Sequence, residues 1–122
     1  MIRVGVLDYG MGNLRSVAKA WEAAGARVVV SDDRRALEKT GLLVVPGQGA
    51  FGAAVEVFKR RGLMPFVKAW IGQGRPFFGV CLGLQILFEG SEEAPGVKGL
   101  GVLSGRVRRF RPASKKLKVP HM

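Results

Sequence analysis

Apolar positions along this chain fall into two alternating textures. Four short runs have the length and β-branched or aromatic content of strands: residues 2 to 7, Arg27-Val28-Val29-Val30-Ser31, Leu42-Leu43-Val44-Val45 and Phe77-Phe78-Gly79-Val80. The second and third are apolar throughout their centres, as expected of parallel strands covered on both faces. Between the runs the period lengthens. Leu14, Val17, Ala18 and Trp21 recur at i, i+3, i+4 and i+7, which predicts a helix ending near Gly25. Further helical segments are expected at about 53–61, 65–71 and 82–89, whereas Asp32-Asp33-Arg34-Arg35 reads as the start of a polar connection.

Strands and helices that alternate with no hairpin dipeptide between them predict an α/β fold, an open, parallel, doubly wound sheet with right-handed crossovers. From Ser91 the texture changes. Gly96, Gly99, Gly101 and Gly105 punctuate Leu100-Gly101-Val102-Leu103 and Arg106-Val107-Arg108-Arg109-Phe110, which read as the start of an antiparallel extension. The sequence then reaches Val119-Pro120-His121-Met122 without a final helix, so residues 1–122 read as a single domain, incomplete at its C-terminus.

Composition agrees with a globular reading: 48% hydrophobic and 24% charged residues exclude disordered, collagenous and coiled-coil chains. One cysteine excludes an internal disulfide. No apolar run approaches the ~18 residues of a membrane span, and the N-terminus reads as a strand and not a signal peptide, so a cytoplasmic protein with no membrane partner is expected. The net charge of +11 raises the possibility of nucleic-acid binding. Its distribution argues otherwise. Arg106, Arg108, Arg109, Arg111, Lys115, Lys116 and Lys118 crowd one short stretch with only Phe110 as an aromatic neighbour, which suits a solvated or partner-facing segment.

Candidate chemistry lies at the glycine-rich turns that follow strands, since ligands of open parallel sheets sit beyond the strands' carboxyl ends. Gly10-Met11-Gly12-Asn13-Leu14-Arg15 resembles a dinucleotide fingerprint with Asp32 as a ribose acid, but Arg15 stands where the third glycine belongs. The alternative is a tight helix entry whose free N–H groups meet an anion or a partner. Gly47-Gln48-Gly49-Ala50-Phe51-Gly52 matches GxGxxG literally, yet it follows Pro46 on the third strand and can equally offer backbone N–H groups to an oxyanion. In the third turn, Gly79-Val80-Cys81-Leu82-Gly83, the pattern is GxSxG with cysteine for serine. A nucleophile on so sharp a strand-to-helix turn crowds the positions two before and two after it, hence the glycines. Cys81 is the candidate nucleophile, Leu82 N–H one oxyanion donor, and the Gly47–Gly49 turn the source of a second. A lone buried cysteine serving only as a small core residue is the alternative.

These residues resemble the triad-type (class I) glutamine amidotransferases, whose sheet is flavodoxin-like. Gly79-Val80-Cys81-Leu82-Gly83-Leu84-Gln85 corresponds to the nucleophile motif and Pro46-Gly47-Gln48-Gly49 to the oxyanion loop. Adding Asp8-Tyr9-Gly10-Met11-Gly12-Asn13-Leu14-Arg15-Ser16, Ser91-Glu92-Glu93 and Pro120-His121-Met122, nearly the whole chain is similar to the glutaminase subunits of imidazole glycerol phosphate synthase. The resemblance implies attack by Cys81 on the side-chain amide of glutamine. It implies an oxyanion held by Leu82, Gln48 and Gly49, and substrate binding by Gly49 and Gln85. Ammonia would pass to a (β/α)8-barrel cyclase in histidine biosynthesis, bound as a heterodimer near Gly10, Met11, Gly12, Asn13, Pro120, His121 and Met122. No metal, organic cofactor or nucleic acid is implied. The family's base, a His followed two residues later by an acid, corresponds to no position here; His121 belongs to the Pro-His-Met segment. A nucleotide-binding module using the Gly10 turn, another cysteine hydrolase of the same fold and a basic binding protein are the competing functions.

Overall fold

The structure, a computed structural model, describes residues 1–110. Strands β1 (Arg3–Leu7), β2 (Arg27–Ser31), β3 (Leu42–Val45) and β4 (Phe77–Gly79) form one sheet in the order β2-β1-β3-β4 with every pair parallel. Helices α1 (Leu14–Ala23), α2 (Arg34–Glu38), α3 (Phe51–Arg60), α4 (Leu63–Gly72) and the single turn α5 (Leu82–Gln85) follow them. Stepping outward from β1 in both directions gives the flavodoxin-like strand order, so the expected open, doubly wound α/β sheet is present.

The strand period of two sorts the core. Val4, Val6 and Val44 point to the face covered by α1, where Leu14, Val17 and Trp21 pack. Leu7, Leu43 and Val45 point to the opposite face, under Leu37 of α2, Phe51, Ala54, Val55 and Phe58 of α3, and Phe66, Val67 and Trp70 of α4. The second layer is the thicker one, and it supports the turns after β3 and β4.

Four expectations need correction. Residues 34–38 form a helix where a polar connection was expected: the Asp33 carboxylate accepts a hydrogen bond from Arg35 N–H at 3.0 Å, and Leu37 is wholly buried. A helix with one core residue has no period to read. The last helix stops at Gln85 because the carbonyls beyond it are taken by a returning loop: Leu100 N–H donates to Ile86, Leu103 N–H to Leu87 and Gly101 N–H to Phe88. The extension from Ser91 is also not antiparallel. Residues 100–103 are loop, and β5 (Gly90–Ser91) pairs with β6 (Arg106–Val107) in parallel register, the chain between them being long enough to return in the same direction. Finally, β2 is only partly buried, because among the described residues it forms an edge of the sheet.

Since Leu37 is the only residue of α2 in the core, Leu37→Ala should cost about 2–5 kcal/mol in urea denaturation. A loss below about 1 kcal/mol would mean that α2 contributes nothing to the packed layer.

Candidate functional site

The turn after β4 is built on two contacts that admit no side chain. A Cβ on Gly83 would coincide with the Val45 carbonyl oxygen, so the first turn of α5 lies directly on the end of β3. A Cβ on Gly79 would come 2.7 Å from the Gly83 carbonyl oxygen, so strand and helix also meet each other closely. Cys81, between them, takes φ 52° and ψ −114°, and it is the only non-glycine residue with positive φ among those described. Such a conformation is sparsely populated and costs of order 1–3 kcal/mol. Its effect is to hold the sulfur outward: Cys81 is exposed, while Leu82 and Gly83 beside it are buried. A core role for the cysteine is excluded.

The turn after β3 lies against this elbow. Gly47, Gln48, Gly49, Cys81, Leu82 and Gln85 line one cavity of about 620 Å³, so every residue proposed from the sequence for attack, oxyanion stabilisation or substrate binding faces a common space. Leu82 N–H meets the Gly47 carbonyl oxygen at 3.4 Å, a long hydrogen bond. Gly49 has φ 110°, a backbone conformation open to glycine. Gln85 also borders a second cavity, of about 480 Å³, with Ser91, Glu92, Glu93, Val107, Arg108 and Arg109. There Arg109 N–H donates to Glu92 Oε2 at 3.1 Å and Glu93 N–H to Ser91 Oγ at 3.2 Å. The sequence motif Ser91-Glu92-Glu93 was visible, but its place beside Gln85 was not, because the β5 and β6 pairing that creates it comes from residues far apart in the chain.

The Gly10–Asn13 turn does not stand free. Gly12 abuts the backbone of the neighbouring loop, its absent Cβ lying 3.0 Å from Gly47 N, and Met11 reaches Gly49. Asn13 caps α1, its side-chain oxygen accepting from Ser16 N–H at 3.2 Å. With Pro46 and Gly47 packed against Gly12, the turn lacks the open backbone cradle that a dinucleotide pyrophosphate needs. Tyr9 is the residue that motif reading left without a role. It is buried, and its hydroxyl donates to the Pro46 carbonyl at 2.6 Å. Burial pushes its phenol from 10.0 up to about 12, so the hydroxyl keeps its proton and remains a donor. Pro120, His121 and Met122 lie outside the described residues. Among the described residues no three His, Cys, Asp or Glu side chains are grouped to hold a metal ion, and no helix is long and apolar enough to cross a membrane.

Against known proteins, residues 5–120 match the family Glutamine amidotransferase class-I. The imidazole glycerol phosphate synthase subunit HisH of Thermus thermophilus is 52% identical over 117 residues, which is 96% of this chain and 57% of that protein. HisH of Halalkalibacterium halodurans is 45% identical over 122 residues, covering 98% of this chain and 57% of its own length. A solved structure titled as a glutamine amidotransferase superposes with a TM-score of 0.73 at 26% identity, over 92% of this chain and 59% of that one. The chain thus spans somewhat over half the length of the relatives it matches.

Two outcomes follow from this geometry. Gly83→Ala should destabilise the fold by about 1–3 kcal/mol or more, through overlap with the Val45 carbonyl, while Cys81→Ala should melt within a few degrees of the unsubstituted protein. Equal stability of the two variants would contradict the packing described. For Tyr9, the folded state retains a proton that the unfolded chain releases near pH 10. Its contribution is complete below pH 10 and is lost as pH rises toward 12. Alkaline denaturation over that window should therefore be shallower in Tyr9→Phe.

Proposed function

Because this chain belongs to the class I glutamine amidotransferase family, we propose that it is the nucleophile-bearing part of a glutaminase that feeds ammonia to a cyclase subunit. One observation carries the reading: an exposed cysteine on a strained elbow shares a single cavity with the Gly47–Gly49 turn, Leu82 and Gln85. Strain of this kind persists where the surroundings impose it, and here it presents a sulfur to a pocket.

In this reading the Cys81 sulfur, having given up its proton, attacks the δ-carbon of glutamine. The carbonyl oxygen takes the negative charge, and the Leu82 N–H meets it once the weak 3.4 Å bond to Gly47 yields. Backbone N–H groups of the Gln48–Gly49 turn supply further donors. Collapse of the oxyanion breaks the carbon–nitrogen bond. The departing nitrogen takes up a proton and leaves as ammonia, and the δ-carbon remains as a thioester on Cys81. Water then attacks that carbon, the sulfur leaves, and glutamate is released. The proton transfers require a general base, which the family resemblance assigns to a His–acid pair and not to any of residues 1–110. The second cavity suits the other end of the substrate. Glu92 and Glu93 bring carboxylates toward an α-ammonium, Arg108 and Arg109 bring cations toward an α-carboxylate, and Gln85 borders both spaces.

The names of the relatives support a synthase subunit, and a (β/α)8-barrel cyclase as heterodimer partner in the cytoplasm completes the proposal. Ammonia released into water would be lost, so the partner belongs over the carboxyl edge of the sheet, where the Gly10–Asn13 turn lies beside the Pro46–Gly49 turn.

The chemical proposal is tested with the protein as expressed from its own gene, together with its barrel partner. Cys81→Ala should abolish glutamine hydrolysis, and a glutamine-mimicking electrophile should add one equivalent of mass at Cys81 of the unsubstituted protein. Substantial turnover by the variant would remove Cys81 from the reaction. For the partner face, Asn13→Trp should weaken the complex at least tenfold at low and high salt alike, beyond the roughly 1 kcal/mol of lost helix cap. Asn13→Ser, which keeps a capping oxygen, should bind nearly as tightly as the parent. Unchanged affinity for the Trp variant would place the partner elsewhere.

A further inference from the structure

The proposed reaction needs Leu82 N–H to be available, and the residue that decides this is not in the cavity. Gly47 is held between two groups: a Cβ there would coincide with the Tyr9 hydroxyl on one side and come 2.7 Å from Leu82 Cβ on the other. The Tyr9 hydroxyl binds the carbonyl of the preceding residue, Pro46, at 2.6 Å, a short hydrogen bond in a fully buried setting. Its ring packs edge-on against Phe58 of α3, with centroids 5.0 Å apart, and α3 is the helix into which the turn leads. Tyr9 therefore holds the entry of the turn through its hydroxyl on Pro46, while its ring is part of the packed layer with Phe58.

From this geometry we propose that Tyr9 is a positioning residue for oxyanion stabilisation, acting on Leu82 N–H through the Pro46–Gly47 backbone. The inference rests on the glutaminase reading above. With the Pro46 carbonyl anchored, the Gly47 carbonyl stands 3.4 Å from Leu82 N, well beyond the ordinary 2.9–3.0 Å of such bonds. The donor is thus loosely engaged and can be taken over by a developing oxyanion. Without the hydroxyl, the Pro46 carbonyl loses its side-chain partner and the Pro46–Gly47 backbone is free to rotate, so that the Gly47 carbonyl can turn onto Leu82 N–H in a full-strength bond that would compete with the transition state. The effect falls on a charge that exists only during reaction, so it should appear in kcat and leave KM alone.

The test compares the unsubstituted protein, Tyr9→Phe and Phe58→Leu, each expressed as the full chain and assayed with the barrel partner. Tyr9→Phe should lower kcat for glutamine about tenfold with KM within twofold, a partial loss relative to deleting an oxyanion donor outright. Alkylation of Cys81 by iodoacetamide, which needs the sulfur but no oxyanion donor, should proceed within twofold of the parent rate. Phe58→Leu should reduce stability while leaving kcat within twofold, because it keeps the hydroxyl. The proposal is overturned by an unchanged kcat in Tyr9→Phe, by a loss carried in KM, by a matching loss in alkylation, or by an equal kcat loss in Phe58→Leu. Absence of glutamine hydrolysis in the parent would instead overturn the glutaminase reading, and this inference with it.

Discussion

Everything at this sheet edge depends on one contact, the seating of Gly83 on the carbonyl oxygen of Val45. Because position 83 has no side chain, the first turn of α5 can rest directly on the end of β3. That seating brings Leu82 N–H opposite Gly47 and holds Cys81, two residues before Gly83, at a positive φ. A larger residue at 83 would lift the helix off the sheet, and the two turns would no longer share a cavity. The outward placement of the Cys81 sulfur is thus a consequence of backbone packing at a neighbouring position.

The same closeness links regions that are distant in sequence. Tyr9 after β1, Pro46 and Gly47 after β3, and Leu82 after β4 touch in series, because β1, β3 and β4 are adjacent strands whose carboxyl ends lie side by side. A parallel sheet collects its loops at one edge, and the order β2-β1-β3-β4 places the three turns next to one another. The turn considered for partner binding and the turn considered for oxyanion stabilisation are in direct contact through Gly12 and Met11. A partner seated on the first would bear on the second with no intervening layer.

The strands, α1, the helical segments over α3 and α4, and the elbow were legible in sequence because each rests on local rules: strand content, a 3.6-residue period, and glycines flanking a crowded residue. Elements governed by distant partners were not. The helix at Arg34–Glu38 has one buried side chain and therefore no stripe, and α5 is shortened by loop N–H groups that arrive from residues 100, 101 and 103. The parallel pairing of Gly90–Ser91 with Arg106–Val107 defied the glycine spacing, which looks like that of a meander. At the site, the residues picked out on the three turns lie next to one another in the structure, since an α/β sheet dictates where its loops gather. Tyr9 escaped notice because an aromatic residue after a first strand looks like core, which it also is. Only the position of its hydroxyl distinguishes the two roles.

The strained backbone at Cys81 means that folding stability and the display of an exposed sulfur make opposite demands on one position. Glycine would relax there, and nothing buried depends on the sulfur, so selection for stability alone would erase the cysteine. Its flanks are under the reverse pressure, since Gly79 and Gly83 are required by packing whatever atom stands between them. The edge therefore behaves as a socket: a rigid frame indifferent to its occupant, in which one small side chain can be exchanged for another of similar size without the surrounding fold having to adapt.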